Sequence, residues 1–345
     1  MNHPNERILF LFPGQGSQYL GMGQDLYQAY DCVRQTYHEA SEILGYDMAA
    51  LSFEDPQQQI HLTRYTQPAL LTHSVACLRI FQELLDIPIS AEASAGHSLG
   101  EYTALVAAGA LEFNTALNLV HHRGTLMGIH GTGEMEALPL GLKEAELLAE
   151  KHLCSIAACN LPDQTVVGGL SDDLDNLVDE LAAQYPQKRS SRLKTEGAFH
   201  TYYMVEAARR FRLILDRSPL KSPQIRILSN YTGGFHDCDP HIIKSRLFWQ
   251  LTNPVRWHEN LISALDSGLN TFVEFGGGIG KGETPADKKP NLAAIIKKAT
   301  RKADVPPSYH AVINCDSLLE TASLFQSQYL DFDLRKLNLN PITRA

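Results

Sequence analysis

The chain lacks several features that would place it in whole classes of protein. Its 345 residues contain no apolar run near the roughly 20 residues that a membrane-spanning helix needs. The apolar stretch from Ile8 to Phe12 is too short for the h-region of a signal peptide and leads directly into a glycine turn. A formal net charge of -9 provides no general basic surface for nucleic acid. We therefore expect neither a membrane protein nor a nucleic-acid-binding protein.

Cysteine pairs are also absent. The six cysteines are scattered, with no CxxC pair and no nearby histidine at zinc spacing; they are Cys32, Cys77, Cys154, Cys159, Cys238 and Cys315. This pattern favours packing cysteines in a reducing compartment, so we expect a cytoplasmic protein without a bound metal.

Strand-like and helix-like segments alternate, which predicts an α/β fold with a largely parallel sheet. The first strand is expected over residues 7–12, and a weakly strand-like segment covers 89–95. Helices are expected over residues 24–44, 67–85 (closed by Pro88), 99–109 and 114–127 (with Asn114 as N-cap).

Between residues 131 and 196 the element order changes to β-α-β-β-α-β, which is typical of a ferredoxin-like unit. We therefore predict a small ferredoxin-like subdomain at 131–196, inserted into a large α/β-hydrolase-like subdomain formed by 1–130 and 197–316. Residues 317–345 are predicted to be a C-terminal tail or linker. Within this tail a docking helix is an alternative, carried by Leu318, Leu319, Leu324 and Phe325.

The stretch AGHSLGEY, residues 95–102, contains the G-x-S-x-G pattern of a nucleophile elbow. Gly96 and Gly100 would leave room for a strained turn that exposes Ser98. A helix beginning near Leu99 would offer N–H groups and the positive end of its dipole to an oxyanion. The pattern alone is not specific, and a small residue in a tight turn is the alternative interpretation.

Two other segments are candidates for the same site. FPGQGSQ, residues 12–18, contains glycines that can bring backbone amides close to a ligand, although a simple β-to-α turn is the alternative. EGAFH, residues 196–200, contains His200, a base suited to neutral pH. The residues alone do not distinguish His200 from the other histidines among the 14 of the chain.

Together these segments resemble malonyl-CoA:acyl-carrier-protein transacylases and the acyltransferase domains of polyketide synthases. The shared motifs follow the order and spacing of that family between about residues 8 and 280. They are FPGQGSQ (12–18), TQPAL (66–70), GHSLGEYTALVAAGAL (96–111), HHRGTLM (121–127), NLPDQTVVGG (160–169), GAFH (197–200) and NPVRW (253–257).

The resemblance implies a role for each catalytic residue. Ser98 becomes the nucleophile and His200 its base. The amides of Gln15 and Leu99 become the oxyanion hole. A carbonyl near the NPV segment orients the histidine, which points to Gln250, with Asn253 as the alternative.

The resemblance also implies the substrate contacts. Arg123 would hold the malonyl carboxylate through paired, charge-assisted hydrogen bonds, whereas its alternative is an arginine at a helix C-terminus. Gln67 and Asn160 lie in motifs that contact substrate. In polyketide acyltransferases, a phenylalanine before the active-site histidine accompanies selection of malonyl over methylmalonyl groups. Phe199 occupies that position here, and a core phenylalanine is the alternative interpretation.

From the resemblance we expect transfer of malonyl from malonyl-CoA to the phosphopantetheine thiol of an acyl carrier protein, through an acyl-serine and with ping-pong kinetics. The pathway would be fatty-acid or polyketide biosynthesis, and the enzyme would act in trans as a monomer without a cofactor. An acyl hydrolase that clears carrier proteins and a non-catalytic scaffold are the alternatives. A true α/β-hydrolase esterase is disfavoured because its histidine comes late in the chain.

The sequence departs from the family most clearly at residues 276–290, where a long charged loop replaces a short turn; residues 134–139 and Thr201 also differ. An acidic carrier protein requires a basic docking face, although solvated charge is the alternative for any basic cluster. One candidate cluster is Lys281, Lys288, Lys289, Lys297, Lys298, Arg301 and Lys302. The other is Lys188, Arg189, Arg192 and Lys194.

Overall fold

The computed structural model describes residues 6–85, 89–301 and 305–338. Three predictions fall outside these ranges: Pro88 as the end of a helix, Lys302 in a basic cluster, and residues 339–345 as the end of the tail.

The described residues contain two sheets. Their strands are β1 (Ile8–Phe12), β2 (Ala93–Gly96), β3 (Glu134–Leu138), β4 (Ser155–Leu161), β5 (Gln164–Gly169), β6 (Ser191–Leu193), β7 (Arg226–Ile227), β8 (Thr271–Phe275) and β9 (Ser308–Val312). The first helices are α1 (Gln24–Ala29), α2 (Asp31–Leu44), α3 (Met48–Phe53), α4 (Thr63–Leu84), α5 (Gly100–Ala107) and α6 (Phe113–His130). The remaining helices are α7 (Leu142–Lys151), α8 (Ser171–Gln184), α9 (Val205–Arg217), α10 (Pro240–Gln250), α11 (Trp257–Asp266), α12 (Ala293–Ala299) and α13 (Cys315–Asn338).

The larger sheet is entirely parallel, with strand order β7-β2-β1-β8-β9. Its central strand β1 is buried along its whole length, as expected for a parallel sheet covered by helices on both faces. The register pairs Phe12 with Gly96. Because parallel strands end at the same edge, the turn after β1 and the turn after β2 lie side by side. This edge positions Gln15 next to Ser98.

The smaller sheet is antiparallel, with strand order β4-β5-β3-β6. Helices α7 and α8 cover it and share a separate apolar core with Leu138 and Val167. The chain enters and leaves this unit at adjacent points, since the Ala198 N–H donates to the Thr132 carbonyl at 2.8 Å. The predicted α/β class, with a mostly parallel sheet and a small inserted β-α-β-β-α-β unit, is confirmed.

One predicted helix is in fact two. The segment 24–44 breaks at Tyr30, which has an extended backbone (φ -129°, ψ 130°) between α1 and α2. The Arg34 guanidinium donates to the carbonyls of Tyr27 and Gln28, at 2.8 and 3.0 Å, and so satisfies the end of α1. The helical spacing of polar and apolar residues continues across this break, so the spacing does not reveal it.

Two helix starts also differ from their predictions. Helix α4 begins at Thr63 rather than residue 67. Helix α6 begins at Phe113, with Glu112 as its N-cap, so Asn114 lies inside the helix. The Asn114 carboxamide instead accepts from the adjacent Thr115 N–H at 2.6 Å.

The boundary predicted at 316/317 does not coincide with the end of the packed core. Helix α13 starts at Cys315, and its Leu318 and Phe325 side chains are buried, whereas Leu319 is exposed. Phe325 lies edge-on to Phe81 of α4, with ring centroids 5.7 Å apart. The first part of the predicted tail is therefore a docked helix, as the alternative interpretation held.

Candidate active site

Ser98 lies in a cleft of about 640 Å³ between the two sheets. The large subdomain contributes Gln15, Ser98 and His200 to its lining. The small subdomain contributes Asn160 and Leu193. The motifs that are far apart in sequence thus meet around one cavity.

The turn that carries Ser98 has the strained geometry of a nucleophile elbow. Ser98 has φ of +53°, a conformation that residues with a side chain rarely adopt. A Cβ on Gly96 would lie 1.9 Å from the carbonyl carbon of Gly100, and one on Gly100 would lie 2.2 Å from the Phe12 carbonyl oxygen. Only glycine fits at these two positions, because Gly96 packs against the backbone at the start of α5 and Gly100 packs against the end of β1.

His200 contacts Ser98 directly. Its Nε2 lies 2.7 Å from Ser98 Oγ, and its Nδ1 lies 2.6 Å from the main-chain carbonyl oxygen of Gln250. A carbonyl only accepts, so Nδ1 carries the proton and Nε2 is left to accept the serine proton. Burial, assisted by the charge of Arg123, lowers the pKa of His200 to about 3, which keeps the ring in its neutral, basic form.

The carbonyl that orients His200 belongs to Gln250, the residue inferred from the resemblance. The alternative, Asn253, does not reach the histidine, and its amide donates to the Trp249 carbonyl at 2.9 Å. Among the described residues no carboxylate occupies the third position of a serine-histidine-acid triad.

Arg123 lies beneath the nucleophile. Its Nη2 donates to Ser98 Oγ at 3.1 Å and to Gln250 Oε1 at 3.0 Å, and the residue is only 1% exposed. Its Nε is buried without a hydrogen-bond partner, and no described carboxylate forms an ion pair with the guanidinium. Helix α6 continues to His130, so Arg123 is not a helix-terminating residue. A buried cation with unused donors is suited to hold an anion.

Of the two predicted oxyanion residues, Gln15 lines the same cleft as Ser98, and Leu99 follows Ser98 directly in the chain. The backbone N–H groups of Gln15 and Leu99 make no hydrogen bond to another residue in the described part of the chain. The Gln15 side chain donates to Thr63 Oγ1 at 3.1 Å, which ties its loop to the start of α4. Both amides are thus available to an oxygen that develops negative charge.

The remaining predicted contacts divide into two groups. Asn160 and Phe199 line the cleft, and Asn160 Oδ1 lies 2.9 Å from His97 Nε2. Gln67 does not line this cleft; it is buried, with its Nε2 3.6 Å from Met127 Sδ and its Oε1 without a partner.

Sequence reasoning missed a buried polar network below the elbow. Asn230 Oδ1 accepts from the Ser98 N–H at 2.6 Å, and its Nδ2 donates to the Gly96 carbonyl at 2.8 Å. Glu101 and His236 form a buried pair, with Oε1 and Nε2 2.6 Å apart. A signal for Glu101 was present, since it is an acid in a helix of mostly apolar residues; Asn230 and His236 lie in loops without a recognisable pattern.

The unusual segment 276–290 borders the cleft. Ile279 and Lys289 form a bridge in it. Glu274 Oε1 and Oε2 accept from the N–H groups of Asn291 and Leu292, both at 2.9 Å, and these two residues line the cleft.

The two basic clusters differ in whether their side chains are free to contact a partner protein. Lys297 and Lys298 are exposed on α12, whereas Arg192 forms ion pairs with Glu134, Glu136 and Asp175. Arg192 is therefore not free to dock a partner, which corrects its assignment to a docking face.

None of the helices in the described ranges has the length and hydropathy that crossing a membrane would require. Nor do these ranges contain a group of three or more His, Cys, Asp or Glu side chains placed to hold a metal ion.

A serine-histidine pair at a strained elbow, with unpaired amides and a buried arginine beside it, is the arrangement of a serine enzyme that acts on acyl groups. Comparison with known proteins gives the same class. The model of the acyl transferase domain family matches residues 9–276. The chain belongs to this family and is an acyltransferase.

Two curated relatives cover most of the chain. A malonyl CoA-acyl carrier protein transacylase of Bacillus subtilis (strain 168) is 37% identical over 307 residues, or 86% of this chain and 91% of that protein. The polyketide biosynthesis malonyl CoA-acyl carrier protein transacylase BaeC of Bacillus velezensis is 36% identical over 276 residues, or 79% of this chain and 93% of that protein.

A solved structure has the same fold. That structure is a type II polyketide synthase acyl-carrier protein in complex with its malonyl-transacylase. Its matched chain superposes on this chain with a TM-score of 0.81 at 32% sequence identity, and the superposition covers 92% of this chain and 100% of the matched chain.

Proposed function

We propose that this enzyme transfers a malonyl group from malonyl-CoA to the phosphopantetheine thiol of an acyl carrier protein, through a malonyl ester of Ser98. The observation that carries the proposal is the position of Arg123, with Nη2 3.1 Å from Ser98 Oγ in a buried site. In malonyl-CoA the free carboxylate carbon is two bonds from the thioester carbonyl carbon. A carboxylate held by Arg123 would therefore keep that carbonyl within reach of Ser98.

In the first half-reaction His200 Nε2 takes the Ser98 hydroxyl proton as Oγ attacks the thioester carbon. The negative charge that forms on the carbonyl oxygen is stabilised by the amides of Gln15 and Leu99. The tetrahedral intermediate then collapses, the C–S bond breaks, and the CoA sulfur leaves with the proton from His200. The product is malonyl-Ser98.

In the second half-reaction the thiol of the carrier protein replaces CoA. His200 takes the thiol proton, sulfur attacks the ester carbon, and the Ser98 C–O bond breaks. His200 returns the proton to Ser98 Oγ, which restores the enzyme. Because CoA leaves before the carrier thiol reacts, the kinetics are ping-pong.

Selection of malonyl follows from the charge of Arg123. A neutral acetyl group cannot return the hydrogen bonds of the guanidinium and leaves it buried and unpaired, which is unfavourable. Phe199 is 5% exposed and lines the cleft, so its ring limits the space for an α-methyl group. Asn160 is placed to contact the acyl or pantetheine part of the substrate.

The proposal extends to the setting of the enzyme. Relatives are named for malonyl transfer to acyl carrier proteins in general and for polyketide biosynthesis, which supports either pathway and action in trans on a separate carrier. A monomer without a cofactor suffices for the chemistry above. The six cysteines are free, which supports a reducing, cytoplasmic compartment.

Intact-protein mass spectrometry tests the proposal. The enzyme is mixed separately with malonyl-CoA, acetyl-CoA and methylmalonyl-CoA, and a phosphopantetheinylated carrier protein is then added. We expect a malonyl adduct on Ser98 that moves to the carrier. Adducts of neutral acyl groups that disappear into water without a carrier would instead support the acyl hydrolase.

A further inference from the structure

A carboxylate and an imidazole that contact each other lie completely buried one layer below the nucleophile. Glu101, in the first turn of α5, and His236 both have fully buried side chains. Isolated charge is costly to bury, so a buried carboxylate requires specific partners. The partners of Glu101 connect it to the reacting residues.

Each oxygen of Glu101 has its own partners. Oε1 lies 2.6 Å from His236 Nε2. Oε2 accepts from Gln250 Nε2 at 2.8 Å and from the Asn230 N–H at 3.1 Å. The carboxylate thus joins α5 to the loop that contains Asn230 and His236 and to the end of α10, which lie 129 to 149 positions further along the chain.

Gln250 is the critical partner, because its side-chain amide has a donating end and an accepting end. Its Nε2 donates to Glu101 and to the Ser98 carbonyl at 3.0 Å, and its Oε1 accepts from Arg123. Glu101, which as a carboxylate only accepts, fixes the donating end on its own side and leaves Oε1 for Arg123. A reversed amide would present its N–H groups to the guanidinium.

The same residue carries the carbonyl that holds His200. The main-chain oxygen of Gln250 lies 2.6 Å from His200 Nδ1, so the side-chain anchor and the histidine contact belong to one residue. Asn230 provides a second connection, since its Oδ1 accepts from the Ser98 N–H. Both the base and the nucleophile are therefore connected to Glu101 through one intervening residue.

We propose that Glu101 is a positioning residue, whose buried carboxylate, braced by His236, holds Gln250 and Asn230 so that His200 and Ser98 are aligned for proton transfer. The proposal deepens the proposed function and rests on it for the malonyl reaction. Glu101 touches none of the reacting atoms. It positions them through the length of its side chain, because the carboxylate must contact His236, Gln250 and Asn230 at the same time.

Two conservative substitutions separate reach from charge. Glu101→Asp keeps the carboxylate but shortens the side chain by one methylene, so it cannot reach both His236 and Gln250. Glu101→Gln keeps the length and an acceptor for Gln250, and its amide can donate to His236 if that ring adopts the other tautomer. Matched controls are Glu39→Asp and Glu39→Gln, in a half-buried pair with Arg79 (2.8 Å) remote from the cleft.

The first readout does not depend on the acyl substrate. A fluorophosphonate reacts when Ser98 Oγ attacks phosphorus, fluoride leaves and His200 takes the serine proton. We expect Glu101→Asp to react about tenfold more slowly or worse, and Glu101→Gln to stay within about threefold of wild type. Both Glu39 variants should react at the wild-type rate. Thermal unfolding gives the folded fraction used to normalise every rate.

The second readout is acylation by malonyl-CoA in a single turnover. We expect the maximal rate of Glu101→Asp to fall in parallel, with the half-saturating concentration changed less than about threefold, since Arg123 remains in place. If wild type reacts with fluorophosphonate but not with malonyl-CoA, the proposed function fails, while the order of the variants still tests Glu101.

Two results would overturn the positioning role. Equal, near-wild-type rates per folded molecule in both Glu101 variants would mean that the pair only stabilises the fold. A slow Glu101→Gln beside a fast Glu101→Asp would mean that charge, not reach, is what the site requires.

Discussion

The Arg123 guanidinium donates a hydrogen bond to the Ser98 hydroxyl, with Nη2 and Oγ 3.1 Å apart. The cation that would recognise the acyl group is therefore in direct contact with the atom that would attack it. Under the proposed function, one buried side chain would both select the substrate and orient the nucleophile. Substitution of either residue should therefore change a different measurable step: the choice of acyl group for Arg123 and the formation of the ester for Ser98.

Removal of Arg123 should change the preferred substrate. In Arg123→Ala the carboxylate loses its partner, and the buried site no longer disfavours neutral acyl groups, so the malonyl-over-acetyl preference should fall by about tenfold or more. Single-turnover acylation with each CoA ester measures the ratio. Arg123→Lys is the matched variant and should retain part of the preference, as a point charge without the paired geometry. An unchanged ratio in both variants would contradict the assignment.

Removal of the nucleophile should have a simpler effect. Ser98→Ala cannot form an ester, so we expect no malonyl adduct by intact-protein mass spectrometry at any concentration of malonyl-CoA. The neighbouring Arg123 and Gln250 remain, and the variant should still bind malonyl-CoA. A persistent adduct would place the nucleophile elsewhere.

The acylation rate should be insensitive to pH where an ordinary histidine titrates. Burial lowers the pKa of His200 to about 3, so its Nε2 stays unprotonated well below the usual value near 6.5. The rate with malonyl-CoA should be nearly flat between pH 8 and about pH 5. Quenched time courses of acylation at each pH measure this rate. A decline in the rate centred near pH 6.5 would show that the pKa of His200 is not lowered.

The elements around the site show what sequence can predict here. Strand β1 is a continuous apolar run followed by glycines, so both the strand and its turn were predictable. The G-x-S-x-G pattern indicated an elbow at Ser98 without distinguishing it from an ordinary tight turn, and the resemblance of the surrounding motifs decided between the two. The resemblance then supplied Gln250, whose main-chain carbonyl carries no side-chain signal.

The parts that sequence did not predict depend on long-range packing. Asn230 reaches Ser98 across 132 positions, and Glu101 meets His236 across 135, so neither contact has a local pattern. The break at Tyr30 occurs without a proline or glycine there, and the carbonyls left at the end of α1 are satisfied by Arg34 from the next helix. Such contacts require the folded chain.

The exposed lysines of α12 should affect the second half-reaction only. Lys297 and Lys298 are exposed and follow Ile295, a cleft-lining residue, on the same short helix, so we expect an acidic carrier protein that approaches the cleft to meet them. Lys297→Glu/Lys298→Glu should raise KM for the carrier about tenfold while acylation by malonyl-CoA is unchanged. The control is Lys143→Glu on α7, also exposed. Equal KM values for the two variants would place the docking face elsewhere.

Glu274 should make the stability of the enzyme depend on pH near neutrality. Its carboxyl is fully buried at the end of β8, and burial raises its pKa to about 7, against an ordinary value near 4.5 in the unfolded chain. The folded state therefore binds the proton more tightly, and the stability gained from this proton is complete below about pH 4.5 and is lost as pH rises through 7. Glu274→Gln is neutral at every pH. Its single amide oxygen can accept from only one of the N–H groups of Asn291 and Leu292, which donate to different oxygens of Glu274, so the variant is compared by how its melting temperature changes with pH and not by its absolute value. From pH 6 to pH 8 the melting temperature of wild type should therefore fall relative to that of Glu274→Gln. Parallel melting curves over this range would mean that the carboxyl titrates at its ordinary value.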